Sequence, residues 1–408
     1  MAGRKRNSFG PGSLPTSPTH PDAPVIGSVL FSLLDYKGML KTGTLYLPLT
    51  AGEKANPMSE CVTRAQSVND HMLILRLDRY VAPVIFPSNT ALPLPTLDEQ
   101  SIVPKKIDDL ACPATLSATE WQQVVACIQS DPLCHQEASI SATIWSQRMH
   151  LMQVPFALPK LLRCVRWNAL EDVIEIHALL PKWAPLPPEA ALELLDSNYG
   201  DPVVRAYAVS RLDTVDEARL SEVLLQLVQA LKYETYLQSA LSKFLLHRAL
   251  TSRLIGQQLF WYLKSQIHDE SSNLKYALLL ESYLRGCGPF MLKSLSDQLG
   301  MVNSLQAAAV HLKKVRHADR KEAMLASLKS FSDTAVAGTP LDAQIHARHL
   351  RLDKCRFMDS KKMPVFTVLK NADDIADDIY LIFKAGDDLR QDMLTLQMMR
   401  IMNRVFFV

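Results

Sequence analysis

From about residue 116 to 330 the chain repeats one pattern, apolar residues at helical spacing broken by short polar connectors. Leu220, Val223, Leu224, Leu227, Val228 and Leu231 fall at i, i+3, i+4, i+7, i+8 and i+11, the apolar stripe of an amphipathic helix. Ile255, Leu259, Tyr262, Leu263 and Ile267 draw a second stripe. Asp201 before Pro202 reads as an N-cap with proline at the first helical position, and Asn168 with Glu171 reads as a capping box. Such stripes must be covered, so consecutive helices with short links are expected to stack pairwise as a solenoid, with Leu224 and Leu227 inside. Only 14 of the 408 residues are glycine. That is about half the ordinary usage of ~7% and argues against an all-β chain rich in tight turns.

The flanks differ from this middle. Residues 1–24 hold five prolines and almost no large apolar residue, which predicts a disordered tail. Residues 25–87 contain VLFSLLDY, GTLYLPL, MLILRLD and PVIFP separated by turn residues. Three or four strands of a β domain are expected there. A proline-rich linker covers 88–115. From 345 onward strands return, around CRFMDSKKMPVFTVL and YLIFK, with an acidic loop NADDIADD between them and a helix at the end.

Charge and cysteine usage narrow the function classes. Lys plus Arg (44) nearly balances Asp plus Glu (42), a net charge of +2 that gives no footprint for a nucleic-acid partner. The seven cysteines, at 61, 112, 127, 134, 164, 287 and 355, are scattered and form no CxxC, so neither a disulfide framework nor a zinc site is expected. No apolar run reaches a membrane span, and the basic start MAGRKR has no apolar segment behind it. A cytoplasmic setting is the expectation. The basic run KKVRHADRK at 313–321 reads as a solvated helix face, with a phosphate or anionic-lipid patch as the alternative.

Two segments could carry chemistry. The strand Tyr380–Phe383 ends in Lys384; Ala385 and Gly386 turn the chain, and Asp388 with Gln391 makes a capping box for the next helix. LRQDMLTLQMMRIM is apolar on nearly every side, which predicts a largely buried helix, and Asp392 on it then needs a cation. Lys384 is the nearest candidate. A strand lysine paired with an acid on the following helix is how kinases hold the lysine that meets nucleotide phosphates; a purely structural ion pair is the alternative. Upstream, Asp359-Ser360-Lys361-Lys362 sits between two strands and offers a hydroxyl and ammonium groups of the kind that suit phosphate oxygens. It is no Walker loop, and a polar surface hairpin is the alternative.

IFKAGDDLRQDMLTLQ closely resembles the opening signature of phosphoinositide kinase domains, especially class I phosphoinositide 3-kinases. CRFMDSKKMPVF resembles the phosphate-binding hairpin of the same enzymes, and LPKLLRCVRWN, LELLDSNYGDPVVRAYAV, LVQALKYE and LLESYLRGCG resemble landmarks of their helical domain. LLDYKGMLKTGTLYLPL and RLDRYVAPVIFP resemble the closing half of their C2 β-sandwich. The resemblance implies a chain that is mainly α with β parts: part of a C2 sandwich at 25–87, a helical accessory domain at 116–330, and part of a kinase N-lobe, strands plus one helix, at 345–408. It implies that Ser360 and Lys362 contact ATP phosphates, that Lys384 binds the α-phosphate side with Asp392 as its partner, and that Phe366 and Ile382 line the adenine pocket. Phe366 stands where the family usually has Trp.

The implied activity is transfer of the ATP γ-phosphate to the D3 hydroxyl of a membrane phosphoinositide, with Mg2+, peripheral recruitment to the membrane and a possible regulatory subunit. The family's catalytic loop, metal-binding Asp-Phe-Gly and activation loop have no counterpart before Val408, so an isolated chain without turnover is expected. In DPLCHQEAS, His135 and Ala138 replace family acids, which puts adaptor control of the usual type in question. A non-catalytic helical scaffold and a phosphatidylinositol 4-kinase are the competing readings.

Overall fold

The computed structural model describes residues 29, 31, 33–34, 39–50, 67–85, 103–267 without 133 and 135, 273–332, 338–360 without 344, 362–387 and 389–406. The expected tail at 1–24 and most of the proline-rich linker lie outside them. Near the N-terminus β1 (Gly43–Thr50) and β2 (Ser67–Leu77) pair antiparallel, from Gly43 opposite Leu77 to Pro48 opposite Met72. Two isolated bridges, Leu34 to Leu40 and Met39 to Ile85, extend this part. The β character of the segment is there, as one regular hairpin with bridges beside it.

The middle is helical throughout. It begins with α1 (Ala118–Gln129), α2 (Ala138–Ser146), α3 (Arg148–Leu151), α4 (Ala157–Leu162) and α5 (Leu170–Leu179). Ser117 caps α1 through a full capping box with Glu120. The box expected at Asn168 does not form. α5 starts one residue later than that box requires, with Ala169 at the N-cap and no side-chain cap. Its entry is held instead by Arg166, which forks onto the Asp172 carboxylate at 2.7 and 2.9 Å.

Then follow α6 (Pro188–Ala191), α7 (Pro202–Leu212), α8 (Glu217–Ala230), α9 (Ala240–Thr251), α10 (Arg253–Gln266) and α11 (Asn273–Gly286). Asp201 caps α7 as expected, accepting from the Val203 and Val204 amides at 3.0 and 2.9 Å. α10 packs against α8, α9 and α11. The contact with α11 is close enough to require glycine at 256, where a Cβ would overlap Tyr283 Oη and stand 2.7 Å from the Ala249 carbonyl oxygen. Leu224 and Leu227 are 0% and 1% exposed, so the stripe faces the core.

α12 (Gly288–Lys314) is 27 residues long and belongs to two cores. One core runs from Ile107 to Leu295; a second runs from Met301 to Ala385 and takes in α13 (Arg320–Ser332). Packing therefore changes hands inside the stretch that the sequence pattern assigned to the helical unit. In the second core β3 (Ala347–Leu350), β4 (Arg356–Phe357), β5 (Val365–Asn371) and β6 (Ile379–Phe383) form one antiparallel sheet with β5 joining the other three. α12 and α13 pack into this core from the N-terminal side. The last element, α14 (Arg390–Phe406), lies across the helical unit.

Candidate functional site

The sheet has two chemically different faces. Val365, Leu369 and Leu381 are buried in the core shared with α12 and α13. By strand alternation the opposite face carries Phe366 and Ile382, directly paired, then Tyr380 and Lys384 two residues to either side of Ile382. Ile382 is 55% and Tyr380 60% exposed. Phe366 and Tyr380 stack with ring centroids 6.0 Å apart, and the Arg356 guanidinium sits 4.8 Å above the Phe366 ring. The result is a shallow apolar surface with a cation at one corner.

At its other end the surface runs into a cluster of lysines. Lys384 follows β6 directly. Its ammonium lies 3.8 Å from Asp387 Oδ2, and the Lys362 ammonium lies 3.5 Å from Asp387 Oδ1. Lys362 also donates to the Gly386 carbonyl oxygen at 2.8 Å, and Lys313, from α12, donates to the Ala385 carbonyl oxygen at 3.2 Å. Gly386 makes the turn possible: its φ of +74° lies in the left-handed region, where a side chain is strained. The β4–β5 hairpin closes through Met358 N–H to Pro364 O and Met363 N–H to Ser360 O, at 2.9 and 3.0 Å. This leaves Ser360 exposed at the hairpin tip beside Lys362.

Five of the six expected site residues thus share one neighbourhood: Ser360, Lys362, Phe366, Ile382 and Lys384. Asp392 does not join them. It is exposed in the first turn of α14, and among the described residues Lys384 pairs with Asp387, three residues along the chain. The helix expected to be buried is instead half bare, with Leu394, Leu396, Met398, Met399 and Met402 all exposed. Its hold on the rest of the molecule is polar. Gln397 exchanges hydrogen bonds with Gln226 at 2.6 and 3.0 Å and donates to the Glu222 carbonyl oxygen at 2.7 Å, while Arg404 pairs with Glu222 at 2.8 Å. Asp388 and Lys361 lie outside the described residues.

Sequence reasoning missed Asp387, Tyr380, Arg356 and Lys313. Tyr380 was legible from the two-residue alternation with Ile382 and Lys384. Lys313 sat in a basic run that reads as solvated, and nothing local marks it as reaching the β6–α14 turn. Beside the sheet, Asp378 accepts from Lys354 and Arg351, both at 2.8 Å, and the Lys354 hydrogen bond foremost holds its carboxyl below the usual carboxylate range. Among the described residues no group of three or more His, Cys, Asp or Glu side chains is placed to hold a metal ion.

An apolar, partly aromatic strip ending in two ammonium groups and a hairpin hydroxyl suits a ligand with a flat apolar ring at one end and anionic oxygens at the other. Residues 113–296 match the accessory domain (PIK domain) of the phosphoinositide 3-kinase family, ending where the first core ends. The chain is 35% identical, over 93% of its length, to phosphatidylinositol 3-kinase 1 of Dictyostelium discoideum. It is 33% identical over 91% of its length to phosphatidylinositol 3-kinase 2 of the same organism. It is 31% identical over 97% of its length to phosphatidylinositol 4-phosphate 3-kinase C2 domain-containing subunit alpha of Pongo abelii. The chain spans 24%, 21% and 23% of the length of these relatives. Residues 113–296 thus carry the accessory domain of the phosphoinositide 3-kinase family, and the chain is similar to 3-kinases over more than nine-tenths of its length.

Proposed function

We propose that the chain forms part of a lipid kinase and that the exposed face of its C-terminal sheet holds ATP. The observation that carries this is the continuity of the face: Phe366 and Ile382 offer a surface for adenine, and the same strand leads to Lys384, with Lys362 and Ser360 alongside for the phosphates. Phosphoryl transfer asks a protein chiefly to position and neutralise the phosphates. Lys362 and Lys384 perform that neutralisation, exchanging the Asp387 carboxylate for phosphate oxygens. ATP supplies the γ-phosphoryl group, and the acceptor proposed is the D3 hydroxyl of a phosphatidylinositol, since the relatives cited are all named 3-kinases. Peripheral recruitment from the cytoplasm to a phosphoinositide surface, and a regulatory subunit, belong to the same proposal. No residue described here is assigned to Mg2+.

The competing reading, a helical interaction protein, draws on the exposed apolar residues of α14. Titration of a fluorescent ATP analogue into the full chain separates the two. Lys384→Ala should weaken binding about tenfold, the worth of one charge-assisted contact, and Ile382→Asp should weaken it through the ring surface. Saturable binding that both variants leave unchanged, or no binding at all, would remove the nucleotide assignment.

A further inference from the structure

Gln298 stands on α12 between Leu295, where the first core ends, and Met301, where the second begins. It is 0% exposed, so the seam between the two cores holds an amide where apolar packing would be expected. Its partners form a chain. The Trp261 indole N–H, from α10, donates to Gln298 Oε1 at 2.9 Å. Gln298 Nε2 donates to Gln257 Oε1 at 3.0 Å, and Gln257 Nε2 donates to the Thr339 carbonyl oxygen at 2.9 Å. Gln257 and Thr339 are buried as well. A chain that starts on a donor-only indole and ends on an acceptor-only carbonyl runs in one sense alone, so both amides are fixed in orientation.

Thr339 belongs to the strap 338–343, which leads directly towards β3. The strap is folded on itself: the Thr339 N–H donates to the Ile345 carbonyl oxygen at 3.2 Å and its hydroxyl to the Asp342 carbonyl oxygen at 3.1 Å. It also lies close on α12, since a Cβ at Gly338 would stand 3.3 Å from Ser294 Oγ and 3.4 Å from Gln298 Nε2. Beyond it Ala347 pairs with Asn371 and joins the sheet through β5. We infer that the Trp261–Gln298–Gln257–Thr339 chain is a latch that holds the C-terminal sheet to the helical unit through this strap, and that displacement of α10 against α12 releases it. Apolar packing is non-directional and weakens gradually as surfaces slide. A one-sense amide chain is either made or broken, and when the strap lifts, water takes the Thr339 carbonyl and the Gln257 amide. The seam opens at modest cost and closes again in a single register. Because α10 packs on α8, α9 and α11, the latch joins the middle of the helical unit to the edge of the sheet. None of its residues lies on the proposed nucleotide face.

The test is hydrogen exchange by mass spectrometry on the full chain, with urea unfolding beside it. All five tryptophans lie between 121 and 261, so fluorescence follows the helical unit, while exchange of β5 follows the sheet. In the wild type the two should unfold at the same urea concentration. Gln257→Met keeps the length of the side chain and loses the amide. It should raise exchange in 338–350 about tenfold and leave exchange in α8 unchanged. Its sheet should unfold at lower urea than its helical unit, whereas loss of packing alone would lower both transitions together. Gly338→Ala leaves every amide in place, crowds the strap off α12 and should act in the same direction; it decides where Gln257→Met fails to fold. Gln226→Met, which cuts the amide contact between α8 and α14, is the control and should leave 338–350 as protected as in the wild type. Separate unfolding of the two units in the wild type overturns the latch. So does unchanged protection of 338–350, or coincident unfolding of sheet and helical unit, in the deciding variant.

Discussion

Arg205→Leu is expected to unfold the helical unit at markedly lower denaturant than the wild type. Arg205 is 3% exposed as a residue, and its guanidinium is fully occupied. It pairs with Glu234 and donates to the carbonyl oxygens of Leu195 at 3.0 Å, Tyr199 at 3.1 Å, and Asp196 and Ala230 at 3.3 Å. One side chain thus ties the turn before α7 to the end of α8. Leucine removes the charge and all five contacts while leaving the Glu234 carboxylate, 8% exposed as a side chain, without its counter-ion. Losing one member of a buried pair costs about 3–5 kcal/mol, far more than the pair is worth against an apolar replacement of both members. With a urea slope of ~2.5 kcal/mol/M, a loss of ~4 kcal/mol lowers the midpoint by ~1.6 M. Tryptophan fluorescence reads this unit, since Trp121 and Trp183 are both buried in it. Glu234→Gln should cost about half as much, because the guanidinium keeps its four carbonyl acceptors. The double replacement Arg205→Leu with Glu234→Leu should recover part of the loss. A midpoint shift below ~0.3 M for Arg205→Leu, or a larger loss from Glu234→Gln than from Arg205→Leu, would refute the picture of a dry, carbonyl-coordinated arginine.

Leu227→Ala is expected to cost about 2–5 kcal/mol in the same urea assay, since the side chain is 1% exposed in a packed core; a loss under ~0.5 kcal/mol would mean that the core collapses around it. Asp378→Asn should flatten the acid limb of the stability curve. Its carboxyl is depressed in the folded state, so its contribution is present above the unfolded carboxylate value of ~3.9 and is lost as pH falls through the lower folded value. Melting temperatures should therefore fall more steeply below about pH 4 for the wild type than for the variant, and parallel curves would show that the Lys354 and Arg351 contacts carry no linkage.

The helical unit was legible because its information is local and periodic. The stripe from Leu220 to Leu231 names its own buried face, and Asp201-Pro202 names its own helix start. Where the local signal had a competitor, it failed. Asn168 and Glu171 have the spacing of a capping box, but Arg166 captures Asp172 from outside the helix and moves the start to Leu170. The change of core within α12 was not legible at all, since a continuous helix pattern says nothing about which partner each half of it meets.

The site divides along the same line. Phe366 and Ile382 were expected from the resemblance and Lys384 from its place at a strand end, and the antiparallel register of β5 with β6 brings the three to one face. The pairing of Lys384 with Asp392 asks for more: eight residues separate them, across a turn, and the outcome depends on how α14 is rotated. That rotation is set by Gln226 and Glu222, which hold Gln397 and Arg404 from about 170–180 positions upstream. A helix fixed by polar contacts at its middle and end is free to leave its first turn, and Asp392 with it, turned to water. Asp387 then serves Lys384 because it is carried on the same turn, whatever the helix beyond it does. In this conformation α8 determines where Asp392, the acid expected to pair with Lys384, stands.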